Sequence, residues 1–435
     1  MKSFLRGLAT LALMLLSLLA WIMLPGWLLG ALFVVLLLWM AFTRGGRQAA
    51  AVTWIGVSTL AQRLGASSVI VVGIAGVVGV LVALLAMGDG LQKTLRSTGD
   101  TETVIVLRGG ATAELSSGLS REDATLLAQM PGILRDAEGK PIVSPELVVV
   151  ANLPKKSTGT DANVEVRGVG PQAWALRPNV KIVEGRAFTP GLREMVVGRG
   201  ARAQFEGLEP GATINLNNQQ WSVVGVFESG DAHESELLGD VDTVSSAYRR
   251  SGYQSATVRL TAPEAFDTFK AALAADPRLK VDAKTTLDYY TAQSEQLTRT
   301  IRIVGIAIAA IMAIGAMFGA LNTMYAAVAT RAREIATLRA IGFRSPPVLI
   351  SVMLETMLLA LLGGLLGAGI AWAIFDNYTV STLGANFSQV VFRFNVSPAL
   401  LWTGVKWALA IGFIGGLLPA LRAARLPVTT ALRES

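Results

Sequence analysis

Arg331-Ala-Arg-Glu-Ile-Ala-Thr-Leu-Arg-Ala-Ile-Gly-Phe-Arg344 is a short basic segment held between two long apolar runs, residues 303–328 and 348–375. Wound as a helix, it places Ile335, Leu338 and Ile341/Gly342 on one stripe and spreads Arg331, Arg333, Glu334 and Arg339 over the rest. Gly342 stands where such a helix stops, and Pro346-Pro347 forces a break just beyond Arg344. A charged helix tethered at both ends to membrane spans is placed to touch something in the aqueous phase and pass force into the bilayer. The alternative is an ordinary cytoplasmic loop whose arginines only set orientation.

Outward from this segment, composition agrees with a membrane setting. The 435 residues are 52% hydrophobic and 16% charged, with mean hydropathy +0.50, whereas soluble domains carry roughly 25% charged residues. Charge is split unevenly: residues 88–300 hold 23 Lys+Arg against 27 Asp+Glu, and the remainder holds 15 against 4. Basic residues therefore gather in short loops beside apolar runs, the positive-inside pattern, and the sequence pI of 9.8 does not indicate nucleic acid. The lack of cysteine excludes disulfides, thiolate metal sites and cysteine nucleophiles. The one histidine, His233, lies among Glu228, Asp231, Glu234 and Glu236. With no second imidazole to join it, this reads as a solvated loop rather than a metal site.

Residues 8–42 form an apolar stretch broken by Pro25-Gly26. Two short spans, an N-terminal hydrophobic hairpin over 1–43, would keep Lys2, Arg6, Arg44 and Arg47 on one side, whereas one long kinked helix would leave Lys2 and Arg6 outside. Residues 49–64 read as an interfacial helix and 67–87 as the first core span. Residues 303–328, 348–375 and 400–419 read as the second, third and fourth, with Pro419 ending the last and a basic cytoplasmic tail over 420–435. Gly315/Gly319, Gly363/Gly367 and Gly412/Gly416 are pairs that let helix backbones approach. Two charges fall within spans. Lys406, between Trp402 and Trp407, is near enough to its interface to snorkel; Glu355 is deeper, within reach of an arginine near the tethered helix or of a partner.

Residues 88–300 read as an α+β domain. Two β-α-β units, at about 100–160 and 250–285, suggest halves of a ferredoxin-like layer assembled from distant segments. A β-rich insert occupies about 164–228, and 287–300 is a polar helical stalk. The expected fold class is thus an α-helical membrane protein: four core transmembrane helices plus the N-terminal hairpin, with a large α+β extracytoplasmic domain between core spans 1 and 2. Catalytic chemistry is not legible. The nearest approach to a P-loop, Gly88-Asp-Gly-Leu-Gln-Lys-Thr94, lacks the glycine before lysine, and HExxH, GxSxG and dinucleotide fingerprints are missing. No catalytic, cofactor-binding or metal residue is nominated, which points to a non-catalytic subunit whose engine is supplied by another chain.

Arg333-Glu-Ile-Ala-Thr-Leu-Arg-Ala-Ile-Gly342, followed by Glu355 and Gly363-Gly-Leu-Leu-Gly367, resembles the signature of the MacB/FtsX family of ABC transporter permeases, the mechanotransmission type. Gly415-Gly-Leu-Leu-Pro-Ala-Leu-Arg-Ala-Ala-Arg425 with Ala431-Leu-Arg433 resembles its closing motif. Gly168-Val-Gly-Pro171, Glu184-Gly-Arg186, Phe188, Pro210-Gly211 and Trp221-Ser-Val-Val-Gly-Val226 resemble its extracytoplasmic domain. The resemblance implies a dimer, with a second copy or a homologue, paired with two copies of a separate cytoplasmic ABC ATPase. It makes 331–344 the coupling helix, with Arg331, Arg333, Glu334, Ile335, Leu338, Arg339, Gly342 and Arg344 as the ATPase-coupling residues. It further implies a bacterial inner-membrane location with both termini cytoplasmic, and a substrate exported or extracted in the manner of MacB-like efflux or lipoprotein release. A periplasmic adaptor and an outer-membrane channel are expected partners on the MacB side. The alternative within the family is an FtsX-like signalling subunit that activates an extracytoplasmic cell-wall hydrolase; outside it stands a membrane sensor without an ATPase. Residues 1–43 depart from the usual four-span permease.

Overall fold

Each of the four core apolar runs becomes a helix longer than the run itself. The computed structural model describes residues 20–21, 23–60, 64–384 and 388–425. Its helices are α1 Gly26–Phe42, α2 Arg44–Ser58, α3 Leu64–Thr98, α4 Arg121–Leu127, α5 Ala173–Leu176, α6 Arg199–Gln204, α7 Val241–Ala247, α8 Ala265–Ala275, α9 Thr286–Thr330, α10 Ala332–Ala340, α11 Ser345–Phe375 and α12 Pro398–Arg425. Its strands are β1 Thr103–Arg108, β2 Val143–Pro154, β3 Asp161–Val169, β4 Lys181–Gly185, β5 Glu194–Gly198, β6 Thr213–Leu216, β7 Gln219–Glu228, β8 Glu236–Asp240, β9 Ser255–Arg259, β10 Val281–Thr285, β11 Thr379–Leu383 and β12 Gln389–Arg393. The chain divides into two units: one of Gly88–Arg299 with Tyr378–Phe394, the other of the remaining described residues.

In the apolar unit, α3, α9, α11 and α12 are long and apolar enough to cross a membrane. The glycine pairs show how these helices meet. A side chain at Gly363 or Gly367 on α11 would run into the carbonyl oxygens of Val71 and Ala75 on α3, and one at Gly412 or Gly416 on α12 into Ala360 and Thr356 on α11. Gly315 and Gly319 differ: no described atom lies within 4 Å of where their side chains would begin. Helix α2 meets α1 at a 101° bend, where the Thr43 hydroxyl accepts from the Gly46 N–H at 2.9 Å and caps α2. That cap starts the helix at Arg44, ahead of the expected 49. Pro419 does not end the helix that carries the last span: α12 continues through it to Arg425. The ring's clash falls on the carbonyl of residue 415, a glycine position, and membrane helices carry such prolines because neighbours re-satisfy the freed backbone groups. The first arm of the expected N-terminal hairpin lies mostly outside the described residues, as does the tail beyond 425.

The other unit is built on a sheet in the order β10-β1-β9-β2-β3-β8-β5-β7-β4, with β6 pairing β7. Strands β10, β1, β9 and β2 are antiparallel to their neighbours. The connection β1-α4-β2 straddles β9 and the connection β9-α8-β10 straddles β1, which is the split β-α-β arrangement of ferredoxin-like folds. Local sequence explains the helices. Ser120 and Asp123 make a reciprocal capping box that starts α4, and Phe269 and Leu273 turn α8 onto the sheet. The long β2–β3 hairpin carries the sheet into its second half, where Trp221, Phe205, Leu147 and Met195 are fully buried. The β11–β12 hairpin, which follows α11 in the chain, belongs to this unit. It is held by Val391 N–H to Ser235 Oγ (2.8 Å) and Ser388 Oγ–H to Glu165 Oε2 (3.0 Å).

Candidate functional site

Two charged constellations stand out, one in each unit. In the apolar unit, α9 stops at Thr330 and Arg331 leaves helical geometry (φ −100°, ψ 8°) to begin α10. Leu338 C=O accepts from Phe343 N–H, and Arg339 C=O from Gly342 N–H. Gly342 has φ +104°. This is a Schellman closure, and only glycine holds that backbone without strain. Arg344 then takes the N-cap position of α11 in extended geometry, and the first turn of that helix contains the two prolines. The helix thus turns through its own chemistry at both ends.

Burial divides the nominated residues. Ile335 and Ala336 face inward, Leu338 and Arg339 are half-buried, and Arg333, Glu334 and Arg344 are exposed. Ile341, expected on the apolar stripe, is 70% exposed. The stripe ends there because the Schellman turn swings the chain away after Ala340. Arg331, expected to face the aqueous phase with the other arginines, is buried. Its Nη1 donates to Glu355 Oε2 at 3.0 Å and its Nε to Glu334 Oε2 at 3.2 Å. Helix α2 closes over this pair: a side chain at Gly56 would begin 3.0 Å from Glu355 Oε2. A groove of about 550 Å³ lies alongside, lined by Val52 and Ile55 of α2, Arg333, Glu334, Ile335 and Leu338 of α10, and Val348 of α11. A buried ion pair gives little net stability, but removing one partner strands a charge and costs about 3–5 kcal/mol. Lys406 stands apart from this group. It donates to the Leu24 carbonyl at 2.8 Å, and on the same two segments the rings of Trp21 and Phe413 stack with centroids 4.9 Å apart. A lysine inside a span thus meets a carbonyl bared by the Pro25 break.

The second constellation went unread in the sequence. Arg167 on β3 is buried among four carboxylates, bonding Glu114 (2.8 and 3.0 Å), Glu146 (3.0 Å), Glu165 (2.8 Å) and Glu236 (2.8 and 3.1 Å). Although burial opposes its charge, those carboxylates raise its proton affinity well above the ordinary guanidinium value. Arg177 adds a second cation: Nη2 donates to Glu146 Oε2 at 2.8 Å and Nε to His233 Nε2 at 3.3 Å. Burial would push the Glu146 carboxyl up, but Arg177 and Arg167 outweigh it and hold the group below its usual range, hence ionised. His233 is buried, not solvated as expected. Its Nδ1 lies 3.3 Å from Asp231 Oδ1, and Asp231 is itself fixed by Ser229 and by Asn179. Burial lowers the proton affinity of His233, yet Asp231 and Glu236 raise it further, so the net shift is upward. A second proton on the ring would nevertheless displace the Arg177 N–H from Nε2. One signal was available: Val164 and Val166 alternate with Glu165 and Arg167, so a strand buried on both faces carried its charges toward a second partner layer. Glu114, Glu146 and Glu236 are too far off in sequence for spacing to reveal.

Residues 67–276 match the family model of the MacB-like periplasmic core domain, and residues 306–428 that of the FtsX-like permease C-terminal region. The chain is 28% identical over 392 residues to the macrolide export ATP-binding/permease protein MacB of Vibrio parahaemolyticus, covering 83% of this chain and 56% of the relative. With MacB 1/2 of Paracoccus denitrificans the identity is 25%, over 84% of this chain and 55% of the relative. The chain therefore spans little more than half the length of these relatives. Among solved structures, the periplasmic region of MacB from Actinobacillus actinomycetemcomitans covers 48% of this chain and 97% of itself, at 18% identity and TM-score 0.34. The extracellular domain of the noncanonic ABC-type transporter YknZ from Gram-positive bacteria covers 42% and 100%, at 16% identity and TM-score 0.33.

Proposed function

This chain belongs to the MacB/FtsX family of ABC transporter permeases, and from that premise we propose that it is a permease subunit worked by an ATPase on a separate cytoplasmic chain. ATP hydrolysis there drives α10 as a coupling helix, and the motion reaches the α+β unit outside the membrane, exporting or extracting a substrate. Both termini of the chain are cytoplasmic in this reading, and two permease copies work with two ATPase copies. The observation that carries it is the Arg331–Glu355 ion pair. It ties the first residue of the tethered helix to the buried side of α11, so a push on α10 moves α11 instead of being absorbed at a loose joint. The exposed side of α10, with Arg333 and Glu334, is left to face the ATPase. Helices α3 and α9 each begin in one unit and end in the other, which supplies the continuous elements such transmission needs.

The test is purification of the tagged chain from its host in mild detergent, with ATP hydrolysis and mass spectrometry as readouts. An ABC ATPase is expected to co-purify, and a Glu334→Ala/Arg339→Ala variant that still folds is expected to lose at least tenfold of the bound ATPase activity. A wild-type chain that brings down no ATPase, or a variant that keeps its full complement, would overturn the coupling role.

A further inference from the structure

Helix α2 opens with two arginines that no described carboxylate of its own unit neutralises. Residues 1–88 contain five Lys or Arg and no Asp or Glu. Arg44 and Arg47 both lie in the first turn of α2, both are exposed, and that turn holds no acidic residue. Cations there oppose the positive end of the helix dipole. The described carboxylates of the apolar unit are committed elsewhere: Glu334 and Glu355 bond Arg331, and Asp376 follows the far end of α11. Two guanidinium groups and a helix N-terminus thus concentrate positive charge at one spot, and the balancing anion comes from outside the unit.

The rest of the helix selects the carrier of that anion. Ala51, Trp54 (76% exposed) and Ile55 (44% exposed) follow Arg44 and Arg47 at helical spacing along one exposed stripe, while Gly46, Val52 and Gly56 are buried on the opposite side. A basic end and an aromatic-aliphatic stretch on one face suit a helix that lies in a membrane interface. Helix α1 sets its level. Its 17 residues carry no charge and none is buried. At 1.5 Å each they reach about 26 Å, close to the ~30 Å hydrocarbon core. Beyond the 101° bend, the first turn of α2 stands where the uncharged run ends and headgroups begin. The bend is built in: Thr43 Oγ–H donates to the Trp39 carbonyl at 2.8 Å, and a side chain at Gly46 would run into that same carbonyl. An acidic protein would answer to the arginines, but a lipid answers to the arginines, the exposed Trp54 and the uncharged α1 together. We infer that Arg44 and Arg47 hold the phosphate groups of anionic phospholipids, with Trp54 and Ile55 seated at the top of the acyl chains. In the orientation proposed above the leaflet is the cytoplasmic one; the lipid contact itself depends neither on that orientation nor on an ATPase.

The experiment uses the full chain, which has no native cysteine, with Ala51→Cys on the exposed stripe carrying a nitrobenzoxadiazole label. In nanodiscs of phosphatidylcholine, a minor fraction of lipid with a nitroxide high on its acyl chain is supplied either as phosphatidylglycerol or as phosphatidylcholine. The nitroxide phosphatidylglycerol is expected to quench the label at least twofold more than the phosphatidylcholine at the same mole fraction, and Arg44→Gln/Arg47→Gln to bring the two level. Arg44→Lys/Arg47→Lys, which keeps the charge, is expected to keep the preference. Should the glutamine variant fail to fold, raising the ionic strength over the labelled chain takes its place, since screening of the surface charge is expected to level the two lipids as well. Equal quenching by the two lipids before either change, or a preference that survives the glutamine variant or high salt, would overturn the proposal. Quenching by neither lipid would place the stripe against water or an acidic protein and would overturn it too.

Discussion

At the scale of residues, His233 and Glu355 make an instructive pair. Glu355 was legible because a carboxylate in an apolar run of helical length has to find a partner, and Arg331 is the arginine it meets. His233 was misread because the acidic residues around it suggested solvent, whereas Asp231 and the distant Arg177 hold it in the interior. The charge near an ionisable group is visible in sequence only when it is local. As the chain's one histidine, His233 gives one set of imidazole NMR signals, expected to titrate with a midpoint above the usual ~6.5. The sign follows from linkage: a raised folded value adds stability that is complete below the unfolded pKa and is lost as pH rises through the folded one. The melting temperature of the wild type relative to His233→Asn should therefore fall between pH 6 and pH 8. A midpoint below 6.5 would mean that burial prevails over the carboxylates.

At the scale of elements, the glycine pairs separate by what they touch. All three spacings look alike in the sequence, yet Gly363/Gly367 and Gly412/Gly416 seat helices of this chain against one another, while Gly315/Gly319 on α9 meet no described neighbour. Gly412→Leu is expected to lower stability by about 1–3 kcal/mol or more through overpacking, read as a loss of melting temperature in detergent. Gly315→Leu should stay within about 0.5 kcal/mol of wild type. Equal losses in the two variants would refute this division. The four apolar spans were readable because a bilayer requires a long uncharged run. The β11–β12 hairpin was not, although Thr379–Leu383 and Gln389–Arg393 have the alternation of strands. Its fixing partners, Ser235 and Glu165, lie more than a hundred residues away in the chain.

At the scale of the whole molecule, the fold class follows from run length and charge balance, whereas the buried network around Arg167 depends on which segments meet and is invisible to either. The orientation proposed for the chain is open to direct measurement because it has no native cysteine. Single cysteines at Arg344 and Gly230, both exposed, should react with an impermeant maleimide from opposite sides of sealed vesicles; reaction from one side would reverse the topology. Helix α9 carries a mechanical consequence. Its part within the apolar unit, residues 300–330, at 1.5 Å per residue, makes a rod of about 46 Å. A tilt of about five degrees at the Thr330 end sweeps the other end of that part through about 4 Å. Over such an arm a small angular stroke becomes a large linear one, with the force reduced in proportion.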